Sequence, residues 1–244
     1  MLIVSVLRCG KDFTPKHAQW LHKQFGSMPS ICLTDAGSID GVNTAPLLFD
    51  WPGWWSKMEL FNPNHPVIGN HDILYFDIDV VITGKLDIFT KAKNFTMLRE
   101  FNHHDRVNSS IMMIPVSAKT KIWEEFTANP EQIMQECKTE DKWGDQGFIG
   151  SVTKPDLWQD IIPDAIKSYK CDIATKSMIG YNPDLASKSA TGKVPDSVSV
   201  VCFHGSPRPW RTGFNWVPSF SLKDTFYGKV KNLKLKVKGK RLKS

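Results

Sequence analysis

A chain of 244 residues, 41% hydrophobic and 23% charged, has the length for one large α/β domain and the composition of a folded globular protein. No apolar run approaches a membrane span, and the short apolar start Met1–Leu7 lacks the basic segment and cleavage site of a signal peptide. The net charge of +6 belongs to one end: residues 229–244 carry eight Lys or Arg and no acid, so residues 1–228 are net acidic. Five cysteines without CxxC spacing read as reduced thiols of a cytosolic compartment.

In chain order, Leu2–Leu7 reads as a strand. Thr14–Phe25 has helical spacing, with Thr14 as cap and Pro15 as first helical residue. Ser30–Thr34 is a second strand, ending at Asp35. Residues 36–53 are rich in Gly, Pro, Asn and Asp and read as loop. Trp54–Phe61 reads as a helix stopped by Asn62-Pro63. A buried strand follows and leads into Asp77 and Asp79. Thr96–Leu98 and Ser110–Ile114 are further strands, the second stopped by Pro115. Ser117–Phe126 and Gly144–Val152 read as helices, and Ser199–Phe203 as a late strand. Strands alternating with helices predict an open, mostly parallel α/β sheet flanked by helices, with ligands at the carboxyl ends of strands. Asp35 and the Asp77/Asp79 pair both fall at such ends.

The stretch Ile73-Leu74-Tyr75-Phe76-Asp77-Ile78-Asp79-Val80-Val81-Ile82 carries the strongest chemical signal. On a strand, residues i and i+2 share a side, so Asp77 and Asp79 are expected to converge. Two carboxylates ending an apolar strand are costly unless a cation neutralises them, and a hard divalent ion shared with substrate phosphates suits them. A strand end whose acids simply meet solvent is the plainer alternative.

Several separated segments resemble one family, the glycogenin-like and bacterial lipopolysaccharide galactosyltransferase-like nucleotide-sugar transferases. Trp55-Ser56-Lys57-Met58-Glu59-Leu60, the Asp77-Ile78-Asp79 strand and Gly84-Lys85-Leu86-Asp87-Ile88-Phe89 resemble its lysine-bearing helix, "YxDxD" and "dLxxLF". Val107-Asn108-Ser109-Ser110-Ile111 resembles "FNSGV", and Trp143-Gly144-Asp145-Gln146-Gly147 resembles "GDQ". Cys202-Phe203-His204-Gly205-Ser206-Pro207-Arg208-Pro209-Trp210 resembles "HFxGxxKPW". The matches keep their order from about residue 55 to 210. The resemblance implies a GT-A-type fold with a Rossmann-like nucleotide-binding half over residues 1–228, followed by a basic tail, 229–244.

It also implies a metal-dependent transfer, with retention, from a UDP-linked sugar to a hydroxyl acceptor such as a cell-envelope glycan or glycolipid. Asp77, Asp79 and His204 would hold Mn²⁺ or Mg²⁺. Lys57 and Arg208 would contact the diphosphate or the donor, with Gly205 keeping its spacing to the basic residue. Asp77 would share the metal or bind the ribose. Asn108 and Asp145 would bind sugar hydroxyls, and Gln146 would lie beside the anomeric carbon. The departures are specific. His204 directly precedes Gly205, two positions from the family register, Arg208 replaces lysine, and Ser110 replaces a glycine. Arginine still binds phosphate, bidentately.

Plainer readings stand beside these. Lys57 reads alternatively as a snorkelling surface lysine, and Asp145 as the cap of a helix beginning at Gln146. His65, His71, His103 and His104 read as solvated loop residues. Trp51, Trp54 and Trp55 read as packing, with an acceptor-stacking platform as the sharper alternative. Three other functions compete: a transferase decorating hydroxylated bases in DNA, a haloacid dehalogenase-type phosphohydrolase, and a non-catalytic nucleotide-sugar or nucleic-acid binder. In the tail, Phe226, Val230, Leu233 and Val237 form an apolar stripe among lysines. This predicts docking on an anionic membrane surface from the cytoplasmic side, with DNA as rival partner.

Overall fold

A computed structural model of the chain describes residues 1–179 and 182–221, with 223, 226 and 230 as isolated positions. Two compact units result: Met1–Ile78 with Asp87–Pro163, and Asp79–Leu86 with the chain from Asp164 onward.

The strands, in chain order, are β1 (Leu2–Leu7), β2 (Ser30–Thr34), β3 (Thr44–Pro46), β4 (Ile73–Phe76), β5 (Val80–Ile82), β6 (Thr96–Arg99), β7 (Val107–Ile114), β8 (Asp156–Leu157), β9 (Ile166–Ser168) and β10 (Val200–Cys202). Seven of them form the sheet of the first unit, in the order β3-β2-β1-β4-β7-β6-β8. From β3 to β4 all neighbours are parallel, β7 runs antiparallel to β4 and β6, and β8 is parallel to β6. Strands covered on both faces need apolar runs rather than alternation. β1 (LIVSVL) and β4 (ILYF) supply them, and every residue of β4 is buried.

The helices are α1 (Pro15–His22), α2 (Val116–Thr127), α3 (Pro130–Glu136), α4 (Gly144–Val152) and α5 (Trp158–Ile161). α1 starts as its sequence predicts: Pro15 is its first residue, and the Thr14 amide donates to His17 Nδ1 at 2.9 Å, a capping box with histidine in the usual Glu/Gln place. The main core of this unit includes Met58, Phe61, Tyr75, Met112, Phe126 and Phe148. The second unit has a three-stranded sheet, β5-β10-β9, antiparallel on one side and parallel on the other.

Several expectations are revised. The strand predicted to carry Asp77 and Asp79 ends at Phe76, after which Asp77 donates its amide to the Ser110 carbonyl at 2.8 Å. The chain then turns and re-enters as β5, whose partner is β10. The two aspartates therefore flank a turn and are not i and i+2 on one strand. Trp54–Phe61 lies within a 3₁₀ helix, Gly53–Phe61, and the loop over 36–53 contains the edge strand β3. α3, β8, α5 and β9 lie in segments whose short or weakly periodic sequence gave no signal. The predicted tail stripe lies outside the described residues, apart from the exposed Phe226 and Val230. Among the described residues no helix is long and apolar enough to cross a membrane.

Candidate active site

In the first unit, a buried lysine gathers residues from four elements. Lys57, on the 3₁₀ helix, lies 2.9 Å from Asp145 Oδ2 on α4 and 3.4 Å from Asp77 Oδ1 just past β4. It donates to Ser109 Oγ on β7 at 2.8 Å, and Ser109 donates in turn to Asp145 Oδ2 at 2.7 Å. Tyr75 donates its hydroxyl to Asp77 Oδ1 at 2.5 Å. Burial pulls the Lys57 pKa down, but the Asp145 and Asp77 carboxylates outweigh it and hold the pKa above the ordinary lysine value. Lys57 is thus not a snorkelling surface lysine: only 7% of it is exposed.

Asp145 does not cap a helix that starts at Gln146. α4 begins two residues earlier, at Gly144, and the buried Asp145 side chain in its first turn points to Lys57 and Ser109. The positive end of the helix favours a carboxylate there. Glycines let α4 sit close to its neighbours. A Cβ at Gly147 would meet the Lys142 carbonyl carbon at 2.7 Å, and one at Gly150 would meet the Val107 side chain at 2.8 Å.

A second network adjoins in sequence. Glu100, just past β6, accepts from Asn108 Nδ2 at 3.0 Å and from Gln146 Nε2 at 3.2 Å, both at Oε2. Asn108 Oδ1 accepts the Ser110 amide at 2.9 Å. Sequence reasoning missed Glu100 because it sits in the polar segment after β6. Its position at a strand end was the available signal. Ser109 was inside a recognised motif but was given no role.

In the second unit, Asp79 is buried at the start of β5 and forms an ion pair with the Arg208 guanidinium. Arg208 follows a turn in which Gly205 has φ +77 and the Ser206–Pro207 peptide is cis. Lys170, in a π-helical turn after β9, lies close: a Cβ at Gly205 would be 3.6 Å from its Nζ. Burial lowers the Lys170 pKa, and the nearby Arg208 and Asp79 act in opposite senses. His204 Nε2 is 2.7 Å from Ser168 Oγ, and Ser168 is fixed by the Cys171 amide and by Asp172. Lys170 had no sequence signal, since its turn matches no regular period. Among the described residues, no group of three or more His, Cys, Asp and Glu is arranged to hold a metal ion.

The remaining singled-out residues divide by burial. His103 and His104 are exposed, as is His71. His65, expected in solvent, is buried, and its Nδ1 accepts the Val67 and Ile68 amides at 3.2 and 3.4 Å. It folds a loop. Trp51 and Trp55 pack in the core, whereas Trp54 is 48% exposed.

No protein-family model and no curated protein sequence matches the chain. Solved structures do. An active-site mutant of LgtC aligns over 95% of this chain and 95% of its own, with 12% identity and a TM-score of 0.54. The galactosyltransferase LgtC in complex with donor and acceptor sugar analogues aligns over the same shares, with 11% identity and a TM-score of 0.50. The glycosyltransferase GlyE of Streptococcus pneumoniae TIGR4 aligns over 97% of this chain at 14% identity and a TM-score of 0.54, but the chain spans only 61% of GlyE. The fold is that of GT-A-type glycosyltransferases. Identity at this level is a likeness of architecture.

Proposed function

We propose that this protein is a glycosyltransferase that moves a sugar from a nucleoside-diphosphate sugar, UDP-linked, to a hydroxyl acceptor with retention of configuration. The observation that carries the proposal is the buried Lys57–Asp145–Ser109–Asp77 cluster at the carboxyl end of β4. β1 and β4 are adjacent in the sheet although β2 and β3 lie on the other side of β1, so the strand order reverses there. Such a switch point is where an open α/β sheet takes a nucleotide. The structural neighbours and the ordered sequence motifs support the same reading.

Each cluster has a role in it. Asn108, Glu100 and Gln146 present amide and carboxylate groups already locked to one another, a suitable set for sugar hydroxyls. Asp145 accepts a further hydroxyl, and Lys57 fixes its orientation. Arg208 and Lys170 supply the positive charge that a departing diphosphate needs, with Gly205 letting the backbone approach it. The acceptor's proton passes to the leaving phosphate on the same face. A covalent intermediate on Asp145 would require that carboxylate to leave both Lys57 and Ser109.

A metal fits this chemistry in one particular way. Mg²⁺ and Mn²⁺ are usually held by one or two carboxylates together with substrate phosphates, not by a closed protein cage. If an ion is held in that way, Asp77 and Asp79, two residues apart in the sequence, would supply the carboxylates and His204 a further donor. The bound ion would neutralise charge on the diphosphate. A dehalogenase-type phosphohydrolase is disfavoured, because three strands precede β4, the strand that leads into Asp77.

The test is slow donor hydrolysis with several UDP- and other nucleotide sugars, in Mn²⁺, Mg²⁺ or EDTA. Turnover of at least one donor is expected. Asp79→Ala should lower it about a thousandfold or more, as loss of a stabilised leaving group implies. Turnover of an aryl phosphate in its place would sink the reading. The basic tail is proposed to dock the enzyme on anionic membrane, where its acceptor lies. Deleting 229–244 should weaken binding to phosphatidylserine vesicles, and tail-dependent binding to duplex DNA alone would favour the DNA-modifying alternative.

A further inference from the structure

We propose that Trp54 and Trp143 form a stacking platform for a pyranose ring of the acceptor, which makes the acceptor a glycan or glycoside. Both indoles are about half exposed, at 48% and 52%. Their ring centroids are 6.0 Å apart with planes tilted by 43°. Two large apolar side chains side by side in water are costly unless something covers them.

Their placement ties them to the Lys57 cluster. A 3₁₀ helix has three residues per turn, so Trp54 and Lys57 lie on the same edge of theirs. Trp143 occupies the N-cap position of α4, two residues before Asp145. The Lys57–Asp145 pair, at 2.9 Å, therefore joins the same two elements that present the tryptophans. Gly144 between them has φ +61, and a Cβ there would meet Trp54 Nε1 at 3.0 Å. Glycine at 144 thus suits both the left-handed backbone and the close approach of the Trp54 ring. The loop carrying Trp143 is also fastened: Arg106 donates to the Glu140 carbonyl at 2.7 Å and to Asp141 Oδ1 at 2.9 Å. These contacts tie the backbone before Trp143 to β7's neighbour Arg106, which reduces what binding would have to order.

Sugar fits it better than a nucleobase. The tilted, neighbouring rings leave no slot for a flat base between them. The surface they offer matches the puckered C–H face of a pyranose, while Gln146 on α4 and the charged segment before that helix can take hydroxyls. The first unit also has more acidic than basic side chains, which disfavours a phosphodiester chain on it. This inference rests on the donor reading only for calling the ligand an acceptor.

Binding of lactose, maltotriose and cellotriose to the full-length protein, followed by saturation-transfer NMR and tryptophan fluorescence, tests it. At least one trisaccharide or disaccharide should bind, and Trp54→Ala or Trp143→Ala should each weaken it about fivefold or more. Trp143→Phe should retain most of the affinity. Unchanged affinity in both alanine variants, or no binding of any saccharide by the parent, overturns the platform. So does binding of oligothymidylate at these residues without saccharide binding. UDP-sugar hydrolysis by the parent is scored separately. If it is absent while saccharide binding depends on both tryptophans, the donor reading fails and the platform stands. If it is present while the variants bind saccharide normally, the reverse holds.

Discussion

In the first unit, Lys57 meets Asp145, Ser109 and Asp77 from a 3₁₀ helix, an α-helix and two strand ends. In the second, Arg208 meets Asp79 from a turn that begins at Gly205. The Lys57 side chain is 9% exposed and the Arg208 side chain 26%. The same pairing of a cation with carboxylates therefore means different things. A fully desolvated charge held by several elements is part of the fold, because removing it strands its partners. A partly exposed one on a turn keeps part of its hydration, so its removal costs the fold less, although it leaves the buried Asp79 without its partner. The first unit thus locks its cation among several elements, whereas in the second the guanidinium is partly open to solvent.

The largest effect that would sharpen this contrast is expected from Lys57→Met. It leaves Asp77 and Asp145 without their shared cation, and breaking a buried pair from one side costs about 3–5 kcal/mol. The urea midpoint should fall accordingly, and Lys57→Arg should recover little, since a planar fork does not reproduce the three-way contact of an ammonium. A loss below about 1 kcal/mol would mean that the cluster is not structural.

Next comes His22, which is buried and bonded to Ser5 Oγ at 2.8 Å and Ser30 Oγ at 3.0 Å, so that it bridges β1 and β2 from α1. Burial lowers its pKa to about 4. The folded state keeps it neutral, while the unfolded chain protonates it below about pH 6.5. Its contribution is complete above that pH and is lost as pH falls toward 4, about 3 kcal/mol at most. His22→Gln should therefore flatten the fall in stability between about pH 6.5 and 4 relative to the parent. Equal slopes would sink the assignment.

The sequence made the parallel half of the sheet legible because its strands are apolar runs bounded by clear turns. Leu2–Leu7 and Ser30–Thr34 have the predicted limits. The turn between Asp77 and Asp79 was not legible, because Val80–Ile82 continues the same apolar pattern while changing its partner to β10. Lys57, Asn108, Asp145 and Gln146 were named from motifs, and the structure puts Lys57 with Asp145, and Asn108 with Gln146 through Glu100. Glu100 and Lys170 were not named. Glu100 had only its strand-end position to mark it, because its bond to Gln146 spans 46 residues, and Lys170 lies 35 residues from Gly205 in a turn of no regular period.

The smallest effect on stability, and the one that decides the other half of the contrast, is expected from Arg208→Ala. Asp79 loses a guanidinium, but the arginine side chain is one-quarter exposed and its turn lies outside the β5-β10-β9 sheet. The stability cost should be about 1–2 kcal/mol, below that of Lys57→Met. UDP affinity should fall much further in proportion, by about tenfold to a hundredfold, because a charge-assisted phosphate contact is worth about 1.5–3 kcal/mol. Arg208→Lys should keep the charge and lose the fork, and so fall between the two. Isothermal titration with UDP beside urea denaturation separates the readouts. If Arg208→Ala binds UDP as the parent does and instead loses as much stability as Lys57→Met, then Arg208 is a structural cation like Lys57, and the division of labour between the units is wrong.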